Sequence, residues 1–107
     1  MQQGAKKTLQ SFANLLFKYE ANRIALLDKG GKTMAEITFP AIDDKTVNID
    51  HSFVDPSLRG QGVAAKLVEV TVDHLKNEGK KAVPTCSYVK AQFDAKPEYQ
   101  SLLPPKL

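Results

Sequence analysis

NIDHSFVDPSLRGQGVAA, residues Asn48 to Ala65, passes from an alternating strand through a proline turn into glycines and then a helix. Val47, Ile49, His51 and Phe53 alternate with Asn48, Asp50, Ser52 and Val54, the period of two expected when one face of a strand is buried. Asp55-Pro56 ends that strand, because proline has no N–H for a ladder and fixes its own φ. Leu58-Arg59 then lead into Gly60-Gln61-Gly62, where the lack of Cβ atoms lets a ligand approach the backbone. The unpaired amides of a following helix, with its dipole behind them, favour an anion, so the stretch reads as a phosphate cradle.

Two better-known glycine patterns fit less well. Gly60-x-Gly62-x-x-Ala65 matches the alanine-ended dinucleotide fingerprint, but the position about 20 residues on, where an acid should hold a ribose, is Lys80-Lys81. No Gly-Lys-Ser/Thr closes a Walker loop anywhere in the chain. The structural alternative is that Gly60 and Gly62 merely permit a tight turn.

Outward from the cradle, the upstream chain reads as short strands at Leu16–Glu20, Arg23–Lys29, Lys32–Phe39 and Thr46–Val54, an antiparallel meander punctuated by Gly30-Gly31 and Asp43-Asp44-Lys45. Downstream, Ala64, Leu67, Val68, Thr71, Val72 and Leu75 form one stripe of a helix over Gln61–Glu78, which Gly79 stops. Lys81–Thr85 resumes as a strand, so strand, helix and strand in succession imply a parallel pair and a mixed sheet. A last helix starts near Ser87 and ends before Pro97. The fold class is α/β of the α+β type, in one domain, since 107 residues support one core.

With 42% hydrophobic and 25% charged residues, the chain has the composition of an ordinary globular protein. The net charge of +3 suits an anionic ligand, but the lysines are scattered among acids, which argues against a nucleic-acid-binding surface. One cysteine excludes an intrachain disulfide and fits a reducing compartment: cytoplasmic, or nuclear or organellar in a eukaryote. The expectation is a monomer or weak dimer, with no metal and no membrane span, Phe12–Phe17 being too short. Residues 1–15 form an extension in which Leu9, Phe12 and Ala13 recur at helical spacing. They read as a docked helix or as the remnant of an organelle-targeting segment, with 16–107 as the domain proper.

Arg59-x-x-Gly62-x-Ala64 resembles the acetyl-CoA pyrophosphate motif of the GNAT superfamily of N-acetyltransferases. His51-Ser52-x-Val54 before it, with Val83-Pro84-x-Cys86-x-Tyr88-Val89 and Pro97-Glu98-Tyr99 after it, is similar to the very small single-domain members. The resemblance implies acetyl transfer from acetyl-CoA to an amine acceptor, in a protein, a peptide or a small molecule. It places the cosubstrate between the splayed ends of Thr46–Val54 and Lys81–Thr85, its pantetheine on backbone near Phe53 and Val54. The pyrophosphate would sit on the amides of Gly60, Gln61, Gly62, Val63 and Ala64, beside Arg59, with Cys86 near the acetyl thioester and Tyr88 among the cofactor-binding residues.

Two residues carry competing readings. Cys86, just before the last helix, is either a small buried hydrophobe or a thiol meeting the thioester, as contact or as covalent carrier. His51 is either a hydrogen-bonded core histidine or the base that accepts the amine proton or polarises Cys86, with Asp50 and Glu36 as further base candidates. Larger relatives place a tyrosine acid in the last helix, where this chain has Phe93, and wall the acceptor site with helices between the first two strands. Here that link is only Ala21-Asn22, so a shallow acceptor site is expected. A CoA-binding module without catalysis and a small nucleic-acid-binding domain are the alternative functions.

Overall fold

The computed structural model describes residues 15–105. The extension and its expected helix fall almost wholly outside them. Strands β1 (Leu16–Glu20), β2 (Arg23–Leu27) and β3 (Thr33–Thr38) form the expected meander. The β1–β2 link is the two residues Ala21-Asn22. Asp28 shortens the next turn, because its Oδ1 accepts from the amides of Gly30 and Lys32 at 2.9 Å each, and Gly31 takes φ +90° to close it.

The expected strand Thr46–Val54 is two strands, and this correction sets the site. β4 (Thr46–Ile49) pairs in parallel with β6 (Lys81–Pro84), whereas β5 (His51–Val54) pairs antiparallel with β3. Asp50 falls between them. Thr38 stands opposite His51 in the ladder, yet its carbonyl also takes the Asp50 amide at 3.3 Å, and its hydroxyl donates to Asp50 Oδ1 at 2.6 Å. Two residues facing one is a β-bulge, and one extra residue reverses every side chain beyond it. Val47 and Ile49 are therefore buried, while His51 and Phe53 turn to the outer face and are exposed.

Helix α1 (Val63–Asn77) covers the inner face, burying Leu67, Val68, Thr71, Val72 and Leu75, all anticipated in its stripe. Thr71 is satisfied there by donating to the Leu67 carbonyl at 2.7 Å. Gly79 at φ +70° closes the helix, with its amide on the Lys76 carbonyl and that of Lys80 on Leu75. Helix α2 (Ser87–Ala95) adds Val89 and Phe93 to the core, and a 3-10 turn at Pro97–Leu102 adds Tyr99 and Leu102. No helix among the described residues is long and apolar enough to cross a membrane.

Candidate active site

The parallel pair β4–β6 ends in a fork. The carbonyl of Ile49 accepts from both the Thr85 and the Cys86 amides, at 3.1 and 3.0 Å, and beyond it the strands part. β6 leads into α2, while β5 stays with β3 and is the last strand of its sheet. Among the described residues no strand pairs with its other edge. Asp55 donates to Met34 at 2.7 Å, so by the alternation of an antiparallel ladder Phe53 bonds toward β3, whereas the backbone groups of Ser52 and Val54 face the fork. No strand pairs these groups, although the Val54 carbonyl takes Arg59 Nε and the Ser52 amide reaches Cys86, and an edge of this kind binds an extended, amide-bearing chain as an added strand would.

At the far end of β5 lies the glycine cradle. Asp55 caps a short 3-10 turn, Pro56–Leu58, by accepting from the Ser57 amide at 3.0 Å, and the chain swings through Arg59 into the glycines. Gly60 and Gly62 take φ of +80° and +78°, which L side chains rarely adopt. Gly62 is the N-cap of α1 and supplies no side chain, so the amides of the first turn keep no capping partner. A cavity of about 210 Å³ opens over them, lined by Val54, Leu58, Arg59, Gly60, Gly62, Val63, Ala64, Ala65 and Tyr88. A Cβ built on Gly60 or Gly62 meets no protein atom within 4 Å, so the glycines keep open a space that the chain itself does not fill.

Seven of the anticipated residues, Val54, Arg59, Gly60, Gly62, Val63, Ala64 and Tyr88, line this cavity. Gln61 does not, its side-chain amide donating to the Ser57 carbonyl at 3.2 Å. Arg59 holds the loop to the strand by donating from Nε to the Val54 carbonyl at 3.1 Å, and that bond engages none of its terminal nitrogens. Phe53 lies outside, ring to solvent. Phe93 is a core residue packed on Tyr99 at 5.6 Å between ring centroids and does not take a tyrosine's place at the site.

Cys86 stands at the fork as the N-cap of α2, where it forms no side-chain cap hydrogen bond. Its partner is Ser52, Oγ to Sγ 3.5 Å, a contact across 34 residues that sequence spacing gives no means of finding. Burial alone pushes the thiol up, but the Ser52 hydroxyl and the amides of Val89, Tyr88 and Ser52 outweigh it and bring the thiol below its usual range. Donors that hold the thiolate lower the pH at which it forms. Alkylation of Cys86 should therefore reach half its plateau rate at lower pH than that of a cysteine in an unfolded peptide, and Ser52→Ala should move that point upward. A wild-type midpoint at or above the peptide's would contradict the hydrogen-bonded thiolate.

His51 corrects the expectation of a core histidine, because the bulge at Asp50 places it outside. It lies 3.4 Å from Glu36, whose other oxygen takes Arg23 Nε at 2.7 Å. His51 and Ser52 point to opposite faces, so the hydrogen-bond partner of Cys86 is Ser52 and not His51.

Comparison with known proteins matches this architecture. Residues 23–102 match the family described as GCN5-related N-acetyl-transferase. Protein NATD1 of Xenopus tropicalis is 31% identical over 68 residues, which are 64% of this chain and 62% of that protein. The chain thus spans somewhat under two thirds of that relative. The NMR structure of a GCN5-like protein from Staphylococcus aureus superposes with a TM-score of 0.71 at 32% identity, covering 89% of this chain and 93% of that one. A GNAT family N-acetyltransferase of Escherichia coli, crystallised with CoA, shares the fold at 23% identity and a TM-score of 0.53, over 76% of this chain and 46% of that one. With the family matched from β2 through the fork, cradle and last helix, the chain belongs to the GCN5-related N-acetyltransferases.

Proposed function

We propose that the protein transfers an acetyl group from acetyl-CoA to an amine, by direct attack in a ternary complex. The observation that carries this reading is the continuity of two unsatisfied surfaces, the open edge of β5 and the uncapped amides of α1, which meet at Val54 and Arg59. An acyl-CoA has the matching parts: amides along the pantetheine for the strand edge, and a pyrophosphate for the helix amides. The E. coli neighbour's complex with CoA agrees with it. The thioester supplies an acyl group activated toward amines. Backbone from Ser52 and Val54 would hold the arm, the amides of Gly62, Val63 and Ala64 would hold the pyrophosphate, and Tyr88 would pack on the side of the cavity. His51, exposed beside Glu36, would accept the proton of the incoming amine from the outer face. With only Ala21-Asn22 between β1 and β2, that link supplies no wall to the face among the described residues, which fits an acceptor carried on a protein tail or another exposed amine.

The test is acetyl-CoA consumption in the presence of amines and basic peptides, with the product identified by mass. Acetylated amine is the expected result. Binding of acetyl-CoA with no turnover on any acceptor would instead favour a CoA-binding module. Cys86→Ser separates direct transfer from a cysteine relay. Direct transfer predicts a change in rate within about tenfold, because backbone rather than the thiol holds the cosubstrate. A relay predicts lost turnover and, in the wild type without acceptor, an acetyl group on Cys86 that passes to added amine at the turnover rate.

A further inference from the structure

On the outer face of the sheet, charged side chains run in one row across its four strands: Lys18 and Glu20 on β1, Arg23 on β2, Glu36 on β3 and His51 on β5. Arg23 is the fixed point of that row. Its Nε donates to Glu36 Oε1 at 2.7 Å, one terminal nitrogen to Glu20 at 3.1 Å and the other to the Thr33 hydroxyl at 3.2 Å. A planar guanidinium gripped at all three nitrogens cannot turn without breaking bonds, so Glu36 is held through Oε1 and offers Oε2 to Nε2 of His51, 3.4 Å away. Asp50, the carboxylate next to His51 in the chain, accepts from the Thr38 hydroxyl at 2.6 Å. With the His51 side chain 53% exposed and that of Glu36 25%, pairs of this kind add little to stability, and what the row supplies is position.

We infer that Arg23 and Glu36 are positioning residues for acetyl transfer: Glu36 keeps the proton of the neutral imidazole of His51 on Nε2, so that Nδ1 is the atom that accepts the proton of the incoming amine. The inference rests on the acetyl-transfer reading and deepens it, by naming the working nitrogen and the two residues that select it. A neutral imidazole has one N–H and one lone pair, and an ionised carboxylate can only accept, so the nitrogen facing Glu36 carries the hydrogen. The separation of 3.4 Å is long for a hydrogen bond, and catalytic contacts of that length commonly tighten when substrate binds. Glu36, with both oxygens engaged, is not itself the base. Nδ1 takes one proton from the ammonium, and the imidazolium keeps its Nε2–H on Glu36. The lone pair freed on the amine forms the C–N bond to the acyl carbon as the C–S bond breaks. Of the two protons that the nitrogen sheds, one passes through His51 to solvent and the other to the CoA thiolate.

Glu36→Gln tests this because it keeps the shape of the side chain. Its single oxygen goes to Arg23, which can only donate, and its NH2 then faces His51 and requires a lone pair on Nε2. The imidazole proton must move to Nδ1. Nitrogen-15 NMR of the histidine rings in the whole chain at alkaline pH reads this directly, with His51→Ala separating its signals from those of His74, the other histidine. The wild type should carry the proton on Nε2 and Glu36→Gln on Nδ1. In steady-state kinetics with a lysine-containing peptide as acceptor, Glu36→Gln should lower kcat about tenfold or more and leave the KM for acetyl-CoA unchanged. Added to His51→Ala it should cost nothing further, because Glu36 acts through that ring. Arg23→Lys, which cannot grip three partners at once, should give a smaller loss of the same kind. Thermal unfolding confirms that each variant is folded. A wild-type proton on Nδ1, or a Glu36→Gln enzyme as active as the wild type, would overturn the inference and leave acetyl transfer standing. Losses that multiply in the double variant would overturn it in the same way. A wild type that binds acetyl-CoA and acetylates neither this peptide nor any other amine would remove the reading together with the inference.

Discussion

Gly62→Asp should weaken acetyl-CoA binding by more than about a hundredfold while leaving the protein folded. The position makes both halves of that result expected. Gly62 is the N-cap of α1 with φ +78°, a region in which aspartate is better tolerated than most residues, and its Cβ would meet no protein atom within 4 Å. Aspartate is also among the preferred N-cap residues, so its carboxylate would accept from the first-turn amides of the helix and offset much of the backbone strain. Those are the amides assigned to the pyrophosphate. The substitution therefore satisfies them internally and sets a negative charge where a second one should arrive. Gly62→Asn keeps the shape without the charge and should lose less. Titration of each variant with acetyl-CoA, beside its thermal unfolding curve, checks this, and a folded Gly62→Asp protein with unchanged affinity would rule out the cradle.

Phe39→Ala should give the largest loss of stability, about 3–5 kcal/mol, and a fall in thermal midpoint of roughly 10 °C or more. Phe39 is 1% exposed, follows β3 directly, and packs near His74 on α1 at 6.2 Å between ring centroids. Its backbone is fixed at both ends by Asn22, whose carbonyl takes the Phe39 amide and whose side chain donates to the Phe39 carbonyl, each at 2.9 Å. Deleting the ring leaves a cavity that this doubly tethered backbone cannot collapse to fill. Because β3 runs antiparallel to β5, Phe39 lies at the end of the sheet away from Val54 and the cradle. Below the lowered midpoint, acetyl-CoA affinity should therefore match the wild type. Chemical unfolding measures the first effect and titration the second; a loss under about 1 kcal/mol would mean that Phe39 is not a core residue.

The contrast between these two positions shows what the sequence made legible. The cradle could be read because its signals are local: proline, arginine and two glycines within seven residues have few common uses, and the structure gives both glycines positive φ. The stripe of α1 and the stop at Gly79 were legible for the same reason. The bulge was not. Asp50 sits in an unbroken alternation, and only the partner strand, through Thr38, reveals that two residues oppose one there. That single residue decides the face of His51 and Phe53, so the expectation of a core histidine failed although the residues on either side of Asp50 do lie in strands, as expected. The Ser52–Cys86 contact depends on how far the fork opens, and the row from Arg23 through Glu36 to His51 on how three strands align; neither leaves a mark in local spacing.

The central claim, that the open edge of β5 and the amides of α1 together form an acetyl-CoA site, is tested most directly by thermal unfolding of the unmodified protein across a range of acetyl-CoA concentrations. A ligand that binds only the native state stabilises it by mass action, about 2.7 kcal/mol at a hundred times its Kd, and the midpoint should climb continuously by roughly 10 °C. A midpoint that stays unchanged at millimolar acetyl-CoA would contradict it.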